Sequence, residues 1–188
     1  MKITLIRHAE VVEEYRGKYN GHIDIGLSQN GKLQAKEVVK KLQNREFDRV
    51  YCSDLLRAKE TLLAFNLTCE RTFTPHLREK SWGVHEGMSF EEIEASGIKY
   101  RDFNQWIEAL DGEDIQTYIK RVKEYFFETI LQESANQVLV ITHAGVIKTL
   151  LSLIKHISLE EAFSIALPYS SFISLELLDN RELEISSM

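Results

Sequence analysis

One stretch decides the fold class: QVLVITHAG, residues 137–145. Its first six residues carry a continuous apolar run, which is typical of a strand buried on both faces of a sheet. The segment that follows, GVIKTLLSLIKH, has the apolar spacing of a helix. The same strand-to-helix order occurs earlier, where "FDRVYCS" precedes "DLLRAKETLLAF". This repetition predicts an α/β protein with a mostly parallel sheet.

The remaining elements complete this prediction. TLIRHAE, residues 4–10, starts with another short apolar run, and Ser28 can cap a helix that begins near Gln29 and buries Leu33, Val38, Val39 and Leu42. Residues 115–130 show a long amphipathic helical pattern, and "SFISLELL" with "ELEIS" predicts a terminal hairpin. We expect a three-layer α/β/α sandwich formed by one domain, residues 1–188, with a small helical cap inserted at about 83–114.

Composition excludes several classes of protein. The chain has 188 residues, of which 44% are hydrophobic and 28% are charged, and its net charge is −6. An acidic chain is a poor nonspecific nucleic-acid binder, although it can still contain a locally positive pocket. No apolar run is long enough for a signal peptide or a membrane span, so a cytoplasmic protein is expected. Cys52 and Cys69 have the spacing of neither a disulfide framework nor a zinc site.

Polar side chains of the types used in catalysis follow three of the predicted strands. Arg7 and His8 end the first strand, and Arg57 lies one turn into the helix after the second. His143 directly follows the third. A single histidine at a strand end is more often structural than catalytic. However, the carboxyl ends of parallel strands meet at one sheet edge, where ligands bind in such folds.

The sequence resembles the histidine phosphatase superfamily, also called the phosphoglycerate mutase-like proteins. Five blocks carry the resemblance in family order and extend from residue 2 to about residue 150. These blocks are "LIRHAE", "YNGHIDIGLSQNGKLQA", "VYCSDLLRAKET", "LREKSWGVHEG" and "VLVITHAGVI". Each block alone is weakly specific, whereas five in order form a specific pattern.

The resemblance implies a reaction and a set of residues. His8 would be the nucleophile that forms a phosphohistidine, and Arg7, Arg57 and His143 would stabilise the phosphoryl oxygens. Glu79 would be the general acid that protonates the leaving group. Substrate contacts would come from the matching residues Asn20, Gly21 and Ala144, together with Arg7, Arg57 and His143. Because these groups surround the phosphate, we expect neither a metal nor a cofactor.

The sequence also departs from the family pattern. Ala9 and Ala144 replace glycines, Val11 replaces a common hydroxyl residue, and Glu14 stands where relatives often have an asparagine that binds phosphate. A carboxylate pointing into the site would repel phosphate, so that contact is in question.

The size of the expected cap resembles that of the alpha-ribazole phosphatase and broad-specificity branch. We therefore expect a metal-independent phosphomonoesterase acting on a small phosphorylated metabolite and releasing phosphate, with no nucleic-acid or membrane partner. A cofactor-dependent phosphoglycerate mutase and a non-catalytic phosphate-binding relative stay open as alternatives. Neither the substrate nor the oligomeric state follows from the sequence.

Overall fold

Strands and helices alternate along the chain in the computed structural model, which describes residues 1–187. The strands are β1 (Lys2–Arg7), β2 (Arg49–Ser53), β3 (Glu70–Thr74), β4 (Gln137–Thr142), β5 (Phe172–Leu177) and β6 (Leu183–Ser187). The α-helices are α1 (Gln29–Lys41), α2 (Leu56–Leu62), α3 (Phe90–Ala95), α4 (Phe103–Ala109), α5 (Ile115–Glu128), α6 (Ala144–Lys155) and α7 (Leu159–Ser164).

The six strands form one sheet in the order β3-β2-β4-β1-β5-β6. β1 to β4 are mutually parallel wherever they pair, whereas β5 and β6 are antiparallel to their neighbours. Arg7 pairs with Thr142 at the carboxyl ends of β1 and β4. His8 and His143, the next residue of each chain segment, therefore lie side by side at this edge. The mostly parallel α/β sheet that the sequence predicts is confirmed.

Alternate residues of the central strand β4 enter two different hydrophobic clusters. Val138 and Val140 pack in the cluster that contains the buried residues of α5 and α6. Leu139 and Ile141 pack instead with the buried residues of α1 and α2. Side chains of a strand point alternately to opposite faces, so the sheet is covered by helices on both sides. This arrangement explains why the sequence of β4 is continuously apolar.

Helix α1 buries Val38, and Leu42 at its end, as expected, but it does not bury Leu33. Ser28 caps it, as predicted, by accepting a hydrogen bond from the Gly31 amide. However, Leu33 is 60% exposed, and Gly31 and Ala35 are buried instead. A side chain at Gly31 would overlap the carbonyl oxygen of Glu10, with a Cβ only 2.0 Å away. The helix therefore packs closely through small residues, which an apolar count overlooks.

Strand β3 was not predicted because its sequence lacks an apolar run. Its residues ERTFT are mostly polar, and Phe73 is 48% exposed. β3 pairs only with β2, at one edge of the sheet. Its conformation therefore depends on backbone pairing with β2 rather than on burial of its own side chains.

The segment expected to form a cap contains the short helices α3 and α4. Ser89 and Glu92 form a reciprocal capping box at the start of α3. Trp106 of α4 donates a hydrogen bond from Nε1 to the hydroxyl of Tyr19, at 2.9 Å. Tyr19 also packs edge-on against Trp82. These aromatic contacts fasten the segment to the loop that follows β1.

Candidate active site

The imidazole of His8 is buried directly after β1, with 6% of its surface exposed. Its Nδ1 lies 2.8 Å from the carbonyl oxygen of Ala9. Because a carbonyl oxygen can only accept a hydrogen bond, Nδ1 carries the proton in the neutral ring. The lone pair is then on Nε2. His8 thus has the tautomer that a nucleophilic Nε2 requires.

The surroundings of His8 keep its ring neutral. Burial lowers the pKa of His8 well below 6.5, and the positive charges of Arg57 and Arg7 lower it further. The hydrogen bond to Ala9 acts in the opposite direction but is a smaller contribution. A neutral imidazole retains the lone pair that attack on phosphorus requires. The two arginines therefore favour the reactive form of His8.

The guanidinium of Arg7 is anchored beside His8 by the loop before β5. Its Nη1 donates to the carbonyl oxygen of Leu167 at 2.6 Å, and the group stacks 3.9 Å from the ring centroid of Tyr169. Nε is buried and has no hydrogen-bond partner among the described residues. Arg7 consequently retains donors for an anion while its position is held by Leu167 and Tyr169.

Arg57 is fully buried, and it organises the loop that contains Asn20 and Gly21. Its guanidinium donates to the carbonyl oxygens of Asn20, Gly21 and Ile23, at 2.7–2.8 Å. Nε has no partner among residues 1–187. Burial lowers the pKa of Arg57 to about 10, so the group remains charged at neutral pH. Arg57 therefore holds the loop in place and keeps a fixed positive charge behind His8.

Glu86 holds the same loop from its amide side. Its carboxylate accepts hydrogen bonds from the backbone N–H groups of Gly21, His22, Ile23 and Trp82, at 2.7–3.2 Å. A Cβ at Gly21 would lie 2.1 Å from the carbonyl oxygen of Lys80. Residues 20–23 are thus fixed between a guanidinium on their carbonyls and a carboxylate on their amides.

His143 lies next to His8, with its ring centroid 5.1 Å away and its surface 1% exposed. Its Nε2 is 2.8 Å from Oγ of Ser53 at the end of β2. Oγ accepts a long hydrogen bond from the Leu55 amide, and His143 is the acceptor available for its proton. This assignment leaves the proton on Nδ1 of His143, which has no partner among the described residues.

The carboxylate of Glu79 is held by three donors. Oε1 accepts from the Tyr118 hydroxyl at 2.9 Å and from the Lys80 amide at 3.1 Å, and Oε2 accepts from the Gly145 amide at 2.8 Å. A carboxylate oxygen has about two acceptor sites. Oε1 is therefore saturated, whereas Oε2 retains one open position. A transferable proton on Glu79 belongs on Oε2.

A cavity of about 220 Å³ opens at this sheet edge. Five of the residues singled out in the sequence line it, namely Arg7, His8, Asn20, Glu79 and Ala144. Arg57, His143 and Gly21 do not line it and are buried behind its surface. Val11 is buried in a bridge to Leu27, and Glu14 is exposed outside the cavity lining. The carboxylate of Glu14 therefore does not face the site.

The structure brings further residues to this site that the sequence reasoning missed. Tyr118 contacts Glu79, Tyr169 stacks on Arg7, and Lys148 lines the cavity. A signal existed for Tyr118, because a tyrosine on the apolar stripe of a helix needs a partner for its hydroxyl. The position of Tyr169 depends on how the loop before β5 folds back over β1. Nothing local in the sequence indicates that contact.

The comparison with family models matches residues 3–186 to "Histidine phosphatase superfamily (branch 1)". The chain belongs to the histidine phosphatase superfamily. Phosphoserine phosphatase 1 of Hydrogenobacter thermophilus is 30% identical over 193 residues, covering 96% of this chain and 89% of that protein. The adenosylcobalamin/alpha-ribazole phosphatase of Salmonella typhimurium is 28% identical over 159 residues, covering 81% of this chain and 78% of that protein.

A solved structure has the same fold as this chain. The alpha-ribazole phosphatase of Shigella flexneri superimposes with a TM-score of 0.87 at 23% identity, covering 100% of this chain and 96% of that one. Within residues 1–187, no cluster of three or more His, Cys, Asp or Glu side chains has the arrangement of a metal site. Among the same residues, no helix is long and apolar enough to cross a membrane.

Proposed function

We propose that this histidine phosphatase hydrolyses a small phosphomonoester through a phosphohistidine on His8. One observation carries the proposal: His8 has its lone pair on Nε2, is kept neutral, and shares one cavity with Arg7 and Glu79. In this proposal His8 is the nucleophile, Arg7 binds the anion and Glu79 donates the proton. Membership of a superfamily whose named relatives include phosphatases supports the same reaction.

In the first step, Nε2 of His8 attacks phosphorus as the bond between phosphorus and the ester oxygen breaks. Glu79 gives the proton on Oε2 to that oxygen, so the product leaves as an alcohol. Arg7, the charge of Arg57 and Nδ1–H of His143 stabilise the negative charge on the phosphoryl oxygens. The result is a phosphohistidine and an ionised Glu79.

In the second step, water attacks the phosphohistidine. Glu79 takes a proton from the water, the bond between phosphorus and Nε2 breaks, and inorganic phosphate leaves. His8 and Glu79 return to their starting states, so the cycle balances without a further reactant. The segment 83–114 acts as the cap in this proposal and restricts the cavity indirectly, since Trp106 holds Tyr19, which lines it.

The test compares wild type with His8→Ala, using p-nitrophenyl phosphate for turnover and radiolabelled phosphomonoester for trapping. We expect the wild type to hydrolyse the ester and to carry a label that is labile to acid and stable to alkali. His8→Ala should lose both. His76→Gln is the matched control, because His76 is exposed and lies outside the cavity lining.

Two outcomes would contradict the proposal. A wild type that hydrolyses no phosphomonoester over a wide pH range would favour the non-catalytic alternative. Retention of the label in His8→Ala would show that another residue is the nucleophile. A transfer assay with 3-phosphoglycerate, primed by the bisphosphate, examines the mutase alternative directly.

A further inference from the structure

The stretch LSQNGKLQA, residues 27–35, has no part in the reaction steps proposed above. Helix α1 begins in this stretch, and its first turn lies against Glu10, two residues after His8. The Ser28 amide donates to the carbonyl oxygen of Glu10 at 3.0 Å, and the Ser28 hydroxyl donates to Oε1 of Glu10 at 2.8 Å. Gly31 approaches so closely that a Cβ there would overlap the same carbonyl oxygen. The start of α1 therefore holds the chain segment that follows His8.

One hydrogen bond of α1 reaches the peptide unit that holds the imidazole of His8. The backbone N–H of Glu10 donates to the side chain of Gln34 at 3.0 Å. Because a backbone N–H can only donate, it is the side-chain oxygen Oε1 of Gln34 that faces it. The carbonyl group of this same peptide unit belongs to Ala9, and it accepts from Nδ1 of His8 at 2.8 Å. His8 and Gln34 therefore bond the opposite ends of one peptide unit.

The preceding peptide unit is held by α2. The backbone N–H of Ala9 donates to Oγ1 of Thr61 at 3.0 Å, and the Thr61 hydroxyl donates to the carbonyl oxygen of Arg57 at 2.7 Å. Ala9 itself is fully buried. Thr61 thus fixes the position of Ala9, whereas Gln34 bonds the peptide unit that carries the accepting carbonyl.

The bond to Gln34 makes the Ala9 carbonyl a stronger acceptor, because hydrogen bonds in a chain polarise one another. The bond from Nδ1 to this carbonyl raises the pKa of His8, against the larger effects of burial and the two arginines. A stronger acceptor on one ring nitrogen raises the basicity of the other, as it does for histidines that bind metals. Gln34 therefore favours a more basic lone pair on Nε2 of His8.

We propose that Gln34 is a positioning residue for the nucleophile. It holds the peptide unit between Ala9 and Glu10, and through that unit it strengthens the hydrogen bond that fixes the tautomer and basicity of His8. Gln34 does not line the cavity, so its effect does not come from contact with the substrate. The inference rests on the proposed function, in which His8 attacks phosphorus, and adds to it a residue remote from the reacting atoms.

The test compares Gln34→Leu, which removes the acceptor, with Gln34→Glu, which replaces it by an ionised carboxylate. Single-turnover release of p-nitrophenol from p-nitrophenyl phosphate, with enzyme in excess, measures attack by His8. The rate at saturation should fall roughly three- to tenfold in Gln34→Leu, which is the range that a neutral hydrogen bond supplies. The half-saturating enzyme concentration should stay unchanged. Gln34→Glu should retain at least the wild-type rate, since a charged acceptor forms the stronger hydrogen bond.

The proton on Nδ1 of His8 gives a second readout that requires no activity. Its NMR resonance, identified by its absence in His8→Ala, should move upfield in Gln34→Leu, because a weaker hydrogen bond deshields the proton less. It should move downfield in Gln34→Glu. Gln29→Leu is the matched control, because Gln29 is exposed at the start of the same helix and should change neither the rate nor the resonance. If Gln34→Leu does not fold, the direction of the shift in Gln34→Glu still decides the matter.

The outcomes distinguish this inference from the proposed function. An unchanged rate and an unchanged Nδ1–H resonance in Gln34→Leu would overturn the role of Gln34 and leave the phosphatase intact. An equal loss of rate in Gln34→Leu and Gln34→Glu would also overturn it, since that result would indicate altered packing rather than a lost acceptor. No hydrolysis by the wild type would refute the phosphatase itself, and the Nδ1–H resonance would then decide the role of Gln34 alone.

Discussion

The contact between Gly145 and Glu79 suggests a substitution, Gly145→Ala, that should affect catalysis much more than stability. Gly145 is the second residue of α6, and its amide holds Oε2 of Glu79. A Cβ at this position would lie 2.1 Å from Oε1 and 2.9 Å from Oε2. Both atoms are at the far end of a flexible side chain. Gly145→Ala should therefore displace the carboxylate and leave the backbone in place.

The expected change in stability is moderate. Gly145 does not have a positive φ, so alanine can adopt its conformation. Replacing glycine by alanine in a helix gains up to about 1 kcal/mol, whereas losing a hydrogen bond to a charged group costs roughly 1.5–3 kcal/mol. The free energy of unfolding should therefore fall by roughly 0.5–3 kcal/mol. Urea denaturation measures this difference.

The expected change in activity is large and depends on the leaving group. A positioned general acid contributes about 10²–10⁴ to a rate when the leaving group needs a proton. Gly145→Ala should therefore lower kcat/KM for an alkyl phosphate by at least about 100-fold. For p-nitrophenyl phosphate, whose leaving group is stable as an anion, the loss should be less than about tenfold.

Glu79→Gln and the double variant supply the control. If Gly145→Ala acts by displacing Glu79, the two substitutions should be non-additive, and the double variant should be no slower than Glu79→Gln alone. A Gly145→Ala enzyme that hydrolyses alkyl phosphates within about threefold of wild type would refute this reasoning. So would an equal loss of activity toward both kinds of ester.

Two further predictions concern pH and the loop of residues 20–23. Because the pKa values of His8 and His143 in the fold lie below 6.5, the unfolded chain binds more protons below that pH. Between pH 7 and pH 5, the free energy of unfolding should fall by up to about 1.4 kcal/mol per pH unit for each of these histidines. Urea denaturation at several pH values measures this fall, and in His8→Ala the free energy of unfolding should depend less steeply on pH. Arg57→Lys loses the planar fork and should cost roughly 2–4 kcal/mol of stability, whereas exposed Arg16→Lys should cost almost none in the same titration.

Much of the fold could be predicted because its strongest elements carry local signals. The apolar run of β4 and the helix cap at Ser28 are visible in the sequence, and the structure has them where they were expected. β3 lacked such a signal, since an edge strand is defined by its neighbour. The buried face of α1 was wrong at Leu33, because close approach of backbones selects small residues rather than large apolar ones.

Some features of the candidate site could likewise be predicted from the sequence, and others could not. Sequence motifs pointed to His8, Arg7 and Glu79, because each lies in a short block with a recognisable pattern. The motifs did not reveal that the guanidinium of Arg57 donates its hydrogen bonds to backbone carbonyls within residues 20–23. Arg7 lines the cavity, whereas Arg57 is buried behind it. This difference depends on contacts between residues more than thirty positions apart in the chain, such as the one between Arg57 and Ile23.

The sequence by itself determined the family, the strand-to-helix order and the chemical types of the reacting groups. These properties are local, since periodicity, capping and short motifs are written in neighbouring residues. Only the tertiary structure decided the tautomers of His8 and His143, the open position on Glu79 and the placement of Lys18 and Lys148 in the cavity lining. Each depends on which donor, acceptor or charge the fold brings into contact, and distant segments provide most of these partners.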